Sequence, residues 1–160
     1  MPPSWNMKTM SEAYINKLAD LRREIEAGGA RPIVIDAATS ELIAEGNGSL
    51  ASDLLSLLSD DAEYDEGMFS LIHAAESSDD GAYVRALLSV FPHLVSSAPR
   101  WASIIFVRVL NSDGARTEMV IQLRGAPAPV KEAVREMCGR INEVSPQFLS
   151  KTVPVSMAAS

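Results

Sequence analysis

Only one cysteine, Cys138, occurs in 160 residues. That excludes an intrachain disulfide and any zinc centre built on several thiolates, and it suits a reducing compartment. No run of eighteen apolar residues exists, and the opening Met1-Pro2-Pro3-Ser4-Trp5-Asn6-Met7-Lys8 has no apolar stretch behind a basic end. Neither a membrane span nor a signal peptide is therefore expected, and the chain reads as cytosolic. Also missing are a Gly-x-Ser-x-Gly elbow, a phosphate-binding Gly-rich loop and a dinucleotide fingerprint. Gly46-Asn47-Gly48 lacks the third glycine and the strand before it.

The most informative absence is that of positive charge. Between Arg31 and Arg85 there is no Lys or Arg, while the same stretch carries twelve acids: Asp36, Glu41, Glu45, Asp53, Asp60, Asp61, Glu63, Asp65, Glu66, Glu76, Asp79 and Asp80. The segments on either side are slightly basic, so the whole net charge of −7 originates in this third of the chain. Nucleic acid is excluded as a direct partner, because phosphate binding draws its affinity from Lys and Arg. A concentrated negative field steers cationic proteins instead, and nucleic-acid-degrading domains are commonly cationic. The competing reading is an acidic surface that serves only solubility.

What is present describes a single folded domain, since one core suffices for this length and 47% hydrophobic residues are enough to build it. Ser11 precedes Ala13, Ile15, Leu18, Leu21 and Ile25 at near-helical spacing, with Gly28-Gly29 as a stop. Pro32-Ile33-Val34-Ile35 reads as a short extended segment. Asp36 then caps a helix through Ile43, and Ser49 caps another that buries Leu50, Leu54, Leu55, Leu57 and Leu58. From Asp60 to Glu76, Tyr64, Met68, Leu71, Ile72 and Ala75 share one helical face, while Glu66, Phe69, His73 and Glu76 share a second. Ser78 or Asp79 caps the next helix, with Tyr83, Val84, Leu87, Leu88 and Phe91 buried and Pro92 as its breaker.

Residues 103–123 support two readings. The β-branched run Ile104-Ile105-Phe106-Val107, the turn Asn111-Ser112-Asp113-Gly114 and Val120-Ile121 favour a β-hairpin. Pro99 in a first turn, with Trp101, Ile104, Ile105 and Arg108 at helical spacing, favours a helix. After Gly125-Ala126-Pro127, Val130, Val134, Met137, Cys138 and Ile141 mark a further helix, and residues 145–160 read as a turn and a loose tail.

The candidates for chemistry fall away one by one. Asp61-x-Glu63-x-Asp65 resembles a calcium loop, but Glu66 stands where glycine is required and Ile72 where the bidentate glutamate belongs. His73-x-x-Glu76 offers two ligands where a metal needs three or four. Cys138 lies on an apolar helix stripe, and the carboxylates are too many and too exposed to single out an acid/base pair. No enzyme, metal or cofactor is expected. Phe69, His73, Trp101, Arg108 and Asn111 are read as structural, with Glu66 or Glu76 as the partner of Arg108 if its segment is buried.

The string Glu63-Tyr64-Asp65-Glu66-Gly67-Met68-Phe69-Ser70-Leu71-Ile72-His73-Ala74-Ala75-Glu76, followed by Tyr83, Leu87-Leu88, Pro99-Arg100-Trp101-Ala102 and Arg108-Val109-Leu110-Asn111-Ser112, resembles a family of bacterial polymorphic-toxin immunity proteins. These are small cytosolic proteins encoded beside contact-dependent growth-inhibition or related secreted toxins. The resemblance runs over roughly residues 50–142. It implies an all-α, single compact multi-helix domain, solenoid-like in one form, in place of the α+β alternative with a hairpin at 103–123. The chain as a whole is read as an N-terminal arm (1–10), a helical domain (11–144) and a C-terminal turn and tail (145–160), although the resemblance itself starts near residue 50. It further implies a cognate toxin C-terminal domain as partner, with neither nucleic acid nor membrane bound. Joined to the charge pattern, it suggests a basic toxin, a cationic nuclease, docked on Asp60, Asp61, Glu63, Tyr64, Asp65, Glu66, Glu76, Asp79 and Asp80, with Tyr64 as anchor. A helical adaptor or regulatory subunit of a cytosolic complex is the alternative.

Overall fold

The computed structural model describes residues 11–160; the arm expected over residues 1–10 lies outside them. Nine α-helices and one 3-10 turn make up the described chain, with no strand among these residues. Helix α1 (Glu12–Ala27) starts where the Ser11 hydroxyl accepts from the Tyr14 amide at 3.0 Å, and ends at Gly28. Helix α2 (Pro32–Glu45) closes on Gly46, whose φ of 72° is the left-handed conformation that glycine adopts without strain. Then come α3 (Leu50–Leu55), α4 (Asp65–Ala75), α5 (Asp80–Ser97), α6 (Pro99–Leu110), α7 (Asp113–Leu123), α8 (Ala128–Val144), the 3-10 turn Pro146–Phe148 and α9 (Leu149–Ala158).

Helices pack chiefly on those one and two places along the chain: α1 on α2, α2 on α4, α3 on α4 and α5, α5 on α6 and α7, α7 on α9. Helix α5, which packs on α3, α6, α7 and α8, closes these neighbours into one compact body. Helix α5 is thus the hub, and α6 buries Trp101, Ala102, Ile105, Phe106, Val109 and Leu110 beside it. One core cluster runs from Tyr14 to Ala159.

Four local expectations are corrected. Pro32-Ile33-Val34-Ile35 is not extended. Proline fits the first helical position, and Ile35, Ala38, Thr39 and Leu42, spaced three and four apart, supply the buried stripe of α2. Pro92 does not end α5. It removes a single N–H, and Phe91 and Leu94, both fully enclosed, hold the helix on either side of it. The segment 103–123 is no hairpin. The buried positions of α6 recur at helical spacing, and Ser112 within the presumed turn caps α7 through its hydroxyl and the Ala115 amide. Finally, residues 145–160 are not a loose tail, because Thr152, Val155 and Ala159 bury α9 against the rest of the fold. Local β-propensity and proline rules lose in each case to a buried helical stripe.

Candidate partner-docking site

The N-terminal end of α4 is held by two turns that meet. Gly29, at φ 77°, accepts the Tyr64 amide through its carbonyl at 2.9 Å, and a Cβ added at Gly29 would fall 2.7 Å from that of Glu63. One turn further, Gly67 lies so close to the Ala30 carbonyl oxygen that any side chain there would overlap it. Tyr64 is the N-cap residue of α4 and keeps 38% of its surface exposed. Asp61 and Glu63 precede it in the turn and Glu66 follows it in the first turn of α4, all three exposed.

Two acids of this region are held by the start of α6. The Asp60 carboxylate accepts from the Arg100 and Trp101 backbone amides at 3.0 and 3.2 Å. These are orphan donors of the first turn of α6, for which the N-cap residue Ala98 offers no side chain. Asp65 receives the Arg100 guanidinium on both oxygens, at 3.2 and 2.8 Å, and the same guanidinium lies 5.0 Å above the Trp101 ring. Arg100 beside Asp65 pulls that carboxyl below the ordinary carboxylate range. At the start of the bare stretch, Arg31 is likewise taken up by the buried Glu24, whose carboxylate also accepts the Arg31 amide.

Glu76, Asp79 and Asp80 sit at the opposite end. Nine residues of α4, Gly67 to Ala75, lie between Glu66 and Glu76, roughly 15 Å at the helical rise. The eight acids that look continuous in sequence therefore form two patches. Arg108 meets Glu76 through Nε at 3.0 Å and Nη2 at 2.6 Å, which selects Glu76 over Glu66 as its partner. The pair is half-buried, with 36% of the Arg108 side chain exposed. Asp79, in place of Ser78, caps α5 through the Ala82 amide at 2.8 Å. Asn111 is the C-cap of α6 and accepts from Lys151 of α9 at 2.9 Å.

Among the residues read as structural, Trp101 is enclosed and Phe69 meets its ring edge-on, centroids 5.0 Å apart. His73 differs: it is exposed, 6.5 Å from the Phe69 ring, in the last turn of α4. Burial pushes the Cys138 thiol up and away from reactivity. Sequence reasoning missed Arg100, which lies 35 residues from Asp65 with no periodic signal joining them. It also missed Tyr83 as anything but core. The buried Tyr14 hydroxyl donates to Asp53 at 2.7 Å, whereas that of Tyr83 has no partner among the described residues.

Among the described residues no helix is long and apolar enough to cross a membrane. A family model described as Immunity protein 30 matches residues 29–119. The match begins earlier than the resemblance read from the sequence and stops sooner. It takes in α2 and the Gly29–Tyr64 junction and omits α8 and α9. No curated protein and no solved structure matches the chain.

Proposed function

The chain belongs to the immunity protein 30 family, and from that membership we propose that it binds a cognate secreted toxin domain, a cationic nuclease, through the acidic end of α4 and covers or distorts its catalytic groove. Membership in an immunity family implies a toxin protein as the partner. The finer reading rests on one observation: the turn before α4 and its first residues present Asp61, Glu63 and Glu66 around a partly exposed aromatic ring, Tyr64. A partly exposed aromatic flanked along the chain by three exposed acids is the composition of an interface anchor with a steering rim.

Asp60, Asp65 and Glu76 serve this surface indirectly, by holding Arg100, Arg108 and the start of α6 in place. Asp79 and Asp80 belong to the second patch. The chain acts by occupancy and carries no catalysis of its own. Delivery of the toxin by contact between cells, and neutralisation in the cytosol, belong to the same proposal.

Co-expression provides the test. Cells producing the toxin domain encoded beside this gene should survive when they also make this chain, and should die when Asp61, Glu63 and Glu66 are all changed to Lys in a protein that still melts at the wild-type temperature. Survival with the reversed surface would place the interface elsewhere.

A further inference from the structure

A cleft of about 440 Å³ opens at the far end of α4, between the start of α5, the end of α6 and the start of α7. Its size falls within the ~300–1,000 Å³ span of small-ligand sites. Glu76, Asp80, Tyr83, Arg108 and Asn111 supply most of its polar lining. Tyr83 decides the matter. The residue is 4% exposed, and its hydroxyl is buried without a hydrogen-bond partner among the described residues. Native structures rarely leave such a group unpaired, because its hydration is lost with nothing in return.

The remaining groups indicate what would pair with it. Arg108, the one base on the lining, is already held by Glu76 through two of its nitrogens. The Asn111 side-chain oxygen already accepts from Lys151. Asp80 makes no ion pair among the described residues, and its carboxylate leans over Gly114 at the mouth of α7, where any side chain would collide with it. Asp79 and Glu118 line the adjoining hollow on the far side of Asp80. The charge left uncommitted is therefore negative. Burial and the nearby Glu76 hold the Tyr83 phenol in its neutral form, whose oxygen can accept an N–H. Val109 and Ala115 add apolar wall suited to an alkyl stem.

We infer that this cleft receives a basic side chain, a guanidinium or ammonium on its alkyl stem, contributed by the bound protein, with Asp80 and the Tyr83 hydroxyl as its acceptors. The inference rests on the toxin-binding reading above and adds to it a second, specific contact at the other end of α4. Arg108 is a positioning residue here, since it fixes Glu76 in the wall.

The test is a titration of the isotope-labelled full chain by NMR with methylguanidinium, methylammonium and, separately, inorganic phosphate. One or both cations should give saturable shifts at the Ser112 and Ala115 amides and the Tyr83 ring, the two arms separating an arginine-like from a lysine-like occupant. Tyr83→Phe and Asp80→Asn should each weaken that binding about tenfold, as loss of a hydrogen bond to a charged group does. Tyr83→Phe should also keep or raise the melting temperature, because it deletes only an unpaired hydroxyl. Saturation by phosphate at the same groups, shifts that spread over the exposed acids without saturating, or a Tyr83→Phe protein that melts several degrees lower would each overturn the inference. No toxin enters this experiment. A chain that binds the cation but fails to protect cells defeats the proposed function alone, and one that protects without binding the cation defeats the cleft alone.

Discussion

Trp101 is the largest side chain enclosed by the fold, and it touches both halves of the site: Phe69 of α4 packs on its edge and Arg100 covers its face. Trp101→Ala should cost about 3–5 kcal/mol, as a large core truncation does, and thermal or denaturant unfolding would register it; an unchanged midpoint would contradict the packing. The sequence reads Arg108 as a clamp tied to Glu66 or Glu76, because a cation buried in an apolar run must find a carboxylate, and the fold selects Glu76. Its degree of burial was not legible, since that depends on how far the cleft stays open. With over a third of the side chain in solvent, Arg108→Ala should lower stability by only about 1 kcal/mol. A loss several times larger would mean that the pair is desolvated. The use of Asp60 and Asp65 to hold the start of α6 left no trace in the sequence, since 35 to 41 residues separate these acids from the groups they bind.

At the scale of elements, a buried helical stripe overrode every local signal pointing the other way. Ile104 to Val107 are β-prone, yet Trp101, Ile105 and Val109 fall four apart and go into the core together. Helices α1 and α8, with clear periodicity, and the Asp79-capped start of α5 were legible from the chain alone, whereas the part of α5 beyond Pro92 and all of α9 were not, because Pro92, Pro154 and a short apolar pattern resemble helix ends. The junction of α1, α2 and α4 depends on close backbone approach. Gly67→Ala should therefore destabilise by about 1–3 kcal/mol or more, since its new methyl group meets the Ala30 carbonyl and not a flexible side chain; wild-type stability in that variant would refute the contact. The start of α6 carries a pH dependence. The Asp65 carboxyl titrates below its ordinary value because Arg100 binds its charged form, and Arg31 acts likewise on Glu24. Each pair contributes its full stability above the ordinary carboxylate value of ~4, and that contribution is lost as pH falls through the lowered value. Melting temperature should drop on acidification, and Asp65→Asn should flatten part of that drop. An identical acid limb in the mutant would show that the ion pair contributes nothing.

At the scale of the molecule, the fold converts a sequence-level excess of negative charge into two separated patches, one exposed around Tyr64 and one lining a cleft. Arg100 and Arg108, bases from the C-terminal half, neutralise the acids that hold the frame. The acids left in solvent are those free to act at a distance, and their effect on encounter should be screened by salt over about 8–10 Å at ordinary ionic strength. The association rate with the cognate toxin domain, measured by stopped flow from low to high salt, is the direct test of this division. For the wild-type chain the rate should fall steeply as salt rises. With Asp61, Glu63 and Glu66 all changed to Lys it should be slow and nearly insensitive to salt, while the dissociation rate changes less. If that triple mutant associates at the wild-type rate across the whole salt range, the patch around Tyr64 is only a solvated face, and the account of how this protein meets its toxin is wrong.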